Sequence, residues 1–126
     1  MKQRRAQKVR KLPTSSDVFE ALKPVMDPEH PVSITDPSMA IVREEYIRVT
    51  GNLIRVLFKP TVVYCPMGAL IGILIRHRLE QVFSEADVSV SLVPGSHTME
   101  TDVNAMIGDD ERYSNIVAQL QERGMI

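Results

Sequence analysis

The run Met67–Ile75, MGALIGILI, carries no charged side chain, and charges enter only from Arg76 onward, with His77, Arg78 and Glu80. Met67 to Phe83 therefore reads as a helix that is apolar almost all round in its first half and polar later. Such a helix is buried at its N-terminal end. The apolar run is nine residues long, far short of the roughly 20 needed to cross a bilayer. It must be covered by the rest of a 126-residue chain, a length that suits one domain. With no tryptophan, three phenylalanines and three tyrosines, the core has to be built mainly from Ile, Val, Leu and Met.

The flanking sequence supplies the cover. Ser15 and Ser16 are good helix N-caps, Asp17 and Glu20 favour a first turn, and Val18, Phe19, Leu22, Val25 and Met26 recur on one helical face. Pro24 limits or kinks that helix. The stretch DPEHPVSITDPS holds three prolines and reads mostly as loop. Glu44–Thr50 and Leu53–Lys59 are strand-like, and Gly51-Asn52 between them signals a two-residue hairpin of type I′ or II′. Pro60 and Pro66 bracket a short extended linker. Val88–Val93 alternates as a third strand. PGSH is a turn, Thr98 is placed to cap a helix bearing Glu100 and Asp102 in its first turn, and Gly108 ends that helix. Asp109, Asp110 and Glu111 open a last helix through Gln121, closed by Gly124. The order α-β-β-α-β-α-α predicts a small α+β domain, with helices on one face of a three-stranded sheet. The expected division is a basic flexible tail over residues 1–14 and a single domain over 15–126.

The net charge of −1 hides an asymmetry. Residues 1–12 hold six basic side chains and no acidic one, leaving nine basic and sixteen acidic in the rest, a balance of −7. An acidic body argues against a nucleic-acid-binding domain. The tail reads as a solvated N-terminus, with nuclear import or an acidic partner as the functional alternatives. A single cysteine leaves no internal disulfide, so nothing points to secretion, and the expected location is the cytosol or nucleus.

That cysteine, Cys65, stands just ahead of the apolar helix with Pro66 behind it. Proline suits the first helical position, which puts Cys65 at or next to the N-cap. There the helix dipole stabilises a thiolate and lowers the thiol pKa, and Gly68 leaves room for a ligand or partner backbone. The opposing reading is a small apolar filler at a helix start. His97, near Glu100 and Asp102, is the one candidate base for a thiol enzyme, or else a turn residue bonding local backbone. His77 reads as surface, and His30 as a loop residue with no partner in view. Without CxxC or HxxxH a structural zinc site is not expected. One thiolate cannot hold an iron–sulfur cluster in the usual way, so a cluster would have to be bridged between chains or completed by outside ligands.

Taken together, DPEHP, PTVVYCPMGALIGILIRHRL and VSLVPGSHTMETDVNAMIGDDER resemble the eukaryotic cytosolic iron–sulfur cluster assembly component 2 family, itself related to bacterial SufT and PaaD domains. The resemblance runs from about Val18 to Arg112. It rests on Asp27-Pro28-Glu29 after a first helix, on Pro60-Thr61 and Cys65 before Leu70-Ile71-Gly72, and on Gly95-Ser96-His97 followed by Glu100, Asp102, Asn104 and Glu111-Arg112. It implies a non-enzymatic adaptor of the cytosolic iron–sulfur targeting complex. Such an adaptor joins a WD40 propeller protein and a large HEAT-repeat protein and delivers clusters to apo-protein clients. Cys65 then matches the family's reactive cysteine and is the one expected metal-contacting residue. His97, Glu100, Asp102, Asn104, Glu111 and Arg112 become partner-binding residues. No cofactor is expected to stay bound; a transient iron–sulfur cluster would be shared between chains or with a partner. Neither nucleic acid nor membrane is an expected partner.

The chain departs from the family pattern at several points. Tyr64 replaces a common His before the cysteine. Ala105-Met106 replaces Lys-Gln, Gly108-Asp109-Asp110 replaces Asn-Asp-Lys, and Tyr113-Ser114-Asn115 stands where small apolar residues are usual; the chain also stops soon after its last helix. A module of purely structural kind, exchanging segments between two copies about hinges at residues 60–66, is a further alternative.

Overall fold

The structure is a computed structural model that describes residues 12–28, 30–61 and 68–126. The expectations for residues 1–11, for Glu29 and for the segment 62–67 with Cys65 lie outside the described residues.

Helix α1 spans Ser15–Leu22. Its N-cap is Thr14, one residue ahead of the serines expected to serve. Thr14 Oγ1 accepts the Asp17 N–H at 3.1 Å, and Asp17 Oδ2 accepts the Thr14 N–H at 3.0 Å. That reciprocal capping box needs an acidic or amide side chain three residues on, and only Thr14 has one. The helix stops at Leu22, ahead of Pro24. Val18 and Leu22 are fully buried, whereas Met26, expected on the same face, lies beyond the helix and is 47% exposed.

The Pro-rich connection 23–43 is irregular, as its composition predicts, yet it contributes Ile34, Ile41 and Val42 to the core. It runs along other backbone: Ile34 N–H bonds to Val25 O, Val42 N–H to Ile34 O, and Lys59 N–H to Ile41 O. A single 3-10 turn over Glu44–Tyr46 replaces the first part of the expected strand. Strand β1 is Ile47–Thr50 and β2 is Leu53–Phe58, paired antiparallel with Thr50 opposite Leu53. Between them φ is positive at Gly51 (+57°) and not at Asn52, which excludes the type I′ hairpin and suits type II′.

Helix α2, Gly68–Val82, crosses the sheet and leads into β3, Asp87–Leu92. β3 pairs with β2 in parallel, from Leu53 opposite Asp87 to Phe58 opposite Leu92. The sheet is therefore mixed, in the order β1-β2-β3, and β2-α2-β3 is a parallel crossover unit. Helix α3 spans Glu100–Gly108 and α4 spans Asp110–Glu122. Asp109 caps α4 by accepting the Arg112 N–H at 3.0 Å, and Gly124 at φ +73° closes it. Helices α2 and α3 pack on the sheet, α1 leans on α2 and β1, and α4 packs on α3 and α2. This is the expected α+β domain.

Burial in α2 follows its composition. Ile71, Gly72, Ile75 and Leu79 face the core, and Ile73 is buried on another side at 1% exposure. The approach is closest at Gly72, where an added Cβ would overlap Ile107 Cδ1 and come within 2.9 Å of Ile107 Cγ1 and 3.0 Å of Phe58 Cε1. Among the described residues no helix is long and apolar enough to cross a membrane.

Candidate functional site

Parallel pairing of β2 and β3 brings their carboxyl ends to one edge of the domain. There β2 gives way to Pro60 and β3 to Pro94-Gly95-Ser96-His97. Crevices beyond the carboxyl ends of parallel strands are recurrent ligand sites, because two connections diverge there and leave backbone exposed. In this chain one of those connections holds Cys65, three residues ahead of Gly68 in sequence.

Gly68, where the described chain resumes after that connection, lies against His97 and close to Pro60. A Cβ on Gly68 would lie 3.2 Å from His97 Nε2, 3.3 Å from His97 Cδ2 and 3.9 Å from Pro60 Cγ. His97 is buried, at 9% exposure. The space left by the missing side chain of Gly68, expected to admit a ligand or partner, is filled by this imidazole. Nδ1 accepts the Met99 N–H at 3.0 Å, the local turn bond weighed from sequence. The hydrogen-bond network thereby assigns the ring proton to Nε2, the nitrogen beside Gly68.

Ser96, which sequence reasoning passed over, lies next to it. The residue is 5% exposed and its Oγ has no hydrogen-bond partner. Leaving a buried hydroxyl unpaired costs about 1–3 kcal/mol, a penalty that a bound ligand or partner would lift. Serine in a turn gives no such signal in sequence, because only the fold decides whether its hydroxyl is wet.

The remaining expected partner-binding residues fall into two groups. Glu100 Oε1 accepts the Gly95 N–H at 2.8 Å, and Asn104 Oδ1 accepts the Leu92 N–H at 2.9 Å. With His97 they staple the end of β3 to the start of α3. Asp102 is exposed on the first turn of α3, where it favours the helix dipole. Thr98 does not cap this helix: the N-cap position is Met99, without a side-chain cap bond. Glu111 and Arg112 are exposed at the start of α4, beyond the far end of α3, and do not join the His97 corner. Sequence reasoning also missed Met99 and Met106, 53% and 38% exposed. They stand two turns apart on one side of α3 with Asp102 between them.

Two other polar constellations are structural. His30 has a partner after all: its Nδ1 lies 3.0 Å from Oδ2 of the buried Asp27 and helps hold the turn after α1. In the second half of α2, Arg76 donates to Glu80 (3.0 Å), to Ile107 O (2.7 Å) and to Asp110 (2.7 Å). Its guanidinium stacks 3.8 Å from the Tyr113 ring centroid, and Tyr113 donates to Glu80 at 2.9 Å. This network ties α2, α3 and α4 together, and it accounts for Tyr113 where small apolar residues are usual. Burial would lower the Arg76 pKa, but the hydrogen bonds to Asp110 and Glu80 outweigh it and the net direction is up. Burial first, then the Glu80 bond, raises the Tyr113 phenol well above the ordinary tyrosine range. Among the described residues no group of three or more His, Cys, Asp or Glu could hold a metal ion.

Comparison with known proteins gives this geometry a context. The family described as "Iron-sulfur cluster assembly protein" matches residues 15–92. The chain is 33% identical over 117 residues to a "MIP18 family protein" of Caenorhabditis elegans, covering 89% of this chain and 70% of that protein. It is 32% identical over 99 residues to "Cytosolic iron-sulfur assembly component 2B" of Dictyostelium discoideum, covering 78% and 61%. The protein of that name in Mus musculus is 31% identical over 101 residues, with coverages of 78% and 61%. The match thus spans about two thirds of the length of these curated relatives.

Proposed function

The chain belongs to the iron–sulfur cluster assembly protein family, and on that footing we propose that it is an adaptor of cytosolic iron–sulfur protein assembly and not an enzyme. In this reading Cys65 contacts the cluster as cargo, and the remaining ligands come from a second chain or a client. The observation that carries the proposal is the family match over residues 15–92, which takes in the Cys65 segment. The corner geometry supports it: Gly68, just after that segment, lies against His97, and Pro60, just before it, is close to Gly68. The Nε2 edge of the buried His97 ring closes that corner against Gly68. Ser96 adds an unpaired hydroxyl near the same turn.

Docking falls to the exposed side of α3 and the start of α4. Met99, Asp102 and Met106 offer an acidic and apolar strip, and Glu111 and Arg112 extend it. The WD40 propeller protein and HEAT-repeat protein implied by the family resemblance are the partners assigned to this strip. The cytosol is the assigned compartment.

The test is affinity isolation of the tagged chain and its Cys65→Ala variant from native lysate, with partners identified by mass spectrometry. The proposal expects a propeller protein, a HEAT-repeat protein and iron–sulfur clients with the wild type, and the same scaffold partners with the variant. Recovery of none of them with the wild type would overturn it.

A further inference from the structure

Among the described residues the buried side chains of the sheet lie on its helix-facing side, and the side chains on its other face are exposed or half-buried. Side chains alternate along each strand, so Ile54, Val56 and Phe58 of β2 point to the core while Leu53, Arg55 and Leu57 point outward. Register sets the rows across that outer face. Arg48 of β1 stands directly opposite Arg55 of β2, which stands opposite Ser89 of β3. The row on one side holds Leu57 and Ser91, and the row on the other holds Thr50, Leu53 and Asp87. A shallow hollow of about 220 Å³ lies over the face, lined by Arg48, Arg55, Leu57, Ser89 and Ser91 and also by Glu45 and Tyr46.

Directly opposed residues in an antiparallel pair have Cβ atoms about 4.5–5.5 Å apart, and like charges there destabilise the pair. Arg48 and Arg55 are both exposed. Among the described residues neither has a carboxylate within ion-pair distance, and the nearby Glu45 is engaged with Arg43 at 3.7 Å. The body of the chain has seven more acidic than basic side chains. Two facing arginines with no carboxylate partner among the described residues offer a place for an oxyanion, since guanidinium forks match a carboxylate bidentately.

We infer that this outer sheet face docks an acidic, extended segment of a partner protein, with a carboxylate held between Arg48 and Arg55. The surroundings select this occupant. A nucleic-acid strand would set successive phosphates against Glu45 and Asp87, which flank the pair. The chain's own first twelve residues hold six basic side chains and no acidic one, so they have no carboxylate side chain to offer the pair. A peptide carboxylate needs only one point of strong charge, and Leu53, Leu57 and Tyr46 beside it take apolar neighbours. The hydroxyls of Ser89 and Ser91 add hydrogen bonds on the β3 side. This inference uses neither Cys65 nor the family and stands apart from the assembly reading.

The test uses the whole chain and a fluorescein-labelled peptide with one central Glu flanked by Val and Thr residues, followed by anisotropy and by backbone amide shifts of isotope-labelled protein. Saturable binding is expected, with shifts at Arg48, Arg55, Leu57 and Ser89. The Arg48→Gln/Arg55→Gln double variant is expected to bind tenfold or more weakly. Arg48→Lys should also weaken binding, because the fork is lost while the charge stays. Arg123→Gln, which removes one positive charge on the helical side, should bind as wild type. Thermal unfolding of each variant shows that the fold is kept. Equal weakening by Arg123→Gln, shifts confined to other surfaces, tighter binding of a single-stranded oligonucleotide, or displacement of the peptide by equimolar inorganic phosphate would each overturn the proposal.

Discussion

Ala40 sits at φ +50°, the one non-glycine residue with positive φ among the described residues. A Cβ in that region costs about 1–2 kcal/mol. Glycine removes the strain but enlarges the freedom of the unfolded chain, so Ala40→Gly is expected to stabilise by about 0.5–1 kcal/mol. Chemical denaturation checks it, and a loss of stability would show that the Asp36–Ala40 turn needs the methyl group. Ser96→Ala removes the buried hydroxyl that has no partner. Stability is then expected to hold or rise by up to about 1 kcal/mol. If Ser96 serves the site, delivery of clusters to clients should fall in the same variant; unchanged delivery would confine Ser96 to packing. Cys65 is a chemical candidate from the sequence alone, as a lone cysteine before a proline-led apolar helix, and it lies outside the described residues. The burial of His97 was not visible, because it depends on β2 and β3 ending side by side, and that parallel pairing joins residues far apart in the chain.

Among the elements, α2 was legible from composition alone, as was the hairpin from Gly51-Asn52. The connection 23–43 was legible as loop but not as core, since proline spacing hides the inward turn of Ile34, Ile41 and Val42. The start of α3 was misjudged. Thr98 has the right chemistry for an N-cap, but Glu100 reaches back to Gly95 and His97 bonds the Met99 N–H, so the turn is fixed without it. The contact between α2 and α3 at Gly72 gives a sharp test. Alanine there gains about 1 kcal/mol of helix propensity against overpacking of typically about 1–3 kcal/mol. A net loss of up to about 2 kcal/mol is expected. Ile107→Val deletes Cδ1, the atom most crowded by the new methyl group, and alone costs about 0.5–1.5 kcal/mol. The double variant should therefore be more stable than the two single losses predict when added. Simple additivity in urea denaturation would mean that α2 and α3 do not meet as closely as described.

Across the whole molecule, the Arg76–Glu80–Tyr113 network links three helices and ties stability to alkaline pH. The Tyr113 phenol is raised in the folded state, chiefly by burial. The folded chain therefore keeps a proton that the unfolded chain has lost above its ordinary tyrosine pKa of about 10. The corresponding stability is full below that pH and declines as pH rises toward the folded value. Urea midpoints measured on either side of about pH 10 should fall more for wild type than for Tyr113→Phe; an equal fall would remove Tyr113 from the account. The family and the α+β architecture were both legible in the sequence, because the motifs and the periodic runs are local. The facing Arg48–Arg55 pair was not, because it exists only through strand register. The central claim concerns what this fold does with its one cysteine. The direct measurement is radioiron incorporation into an iron–sulfur client in cells lacking the chain, restored with wild type or with Cys65→Ala at matched abundance. The account predicts that wild type restores incorporation and that the variant, folded and present, leaves the client without its cluster. Full incorporation with Cys65→Ala would contradict it.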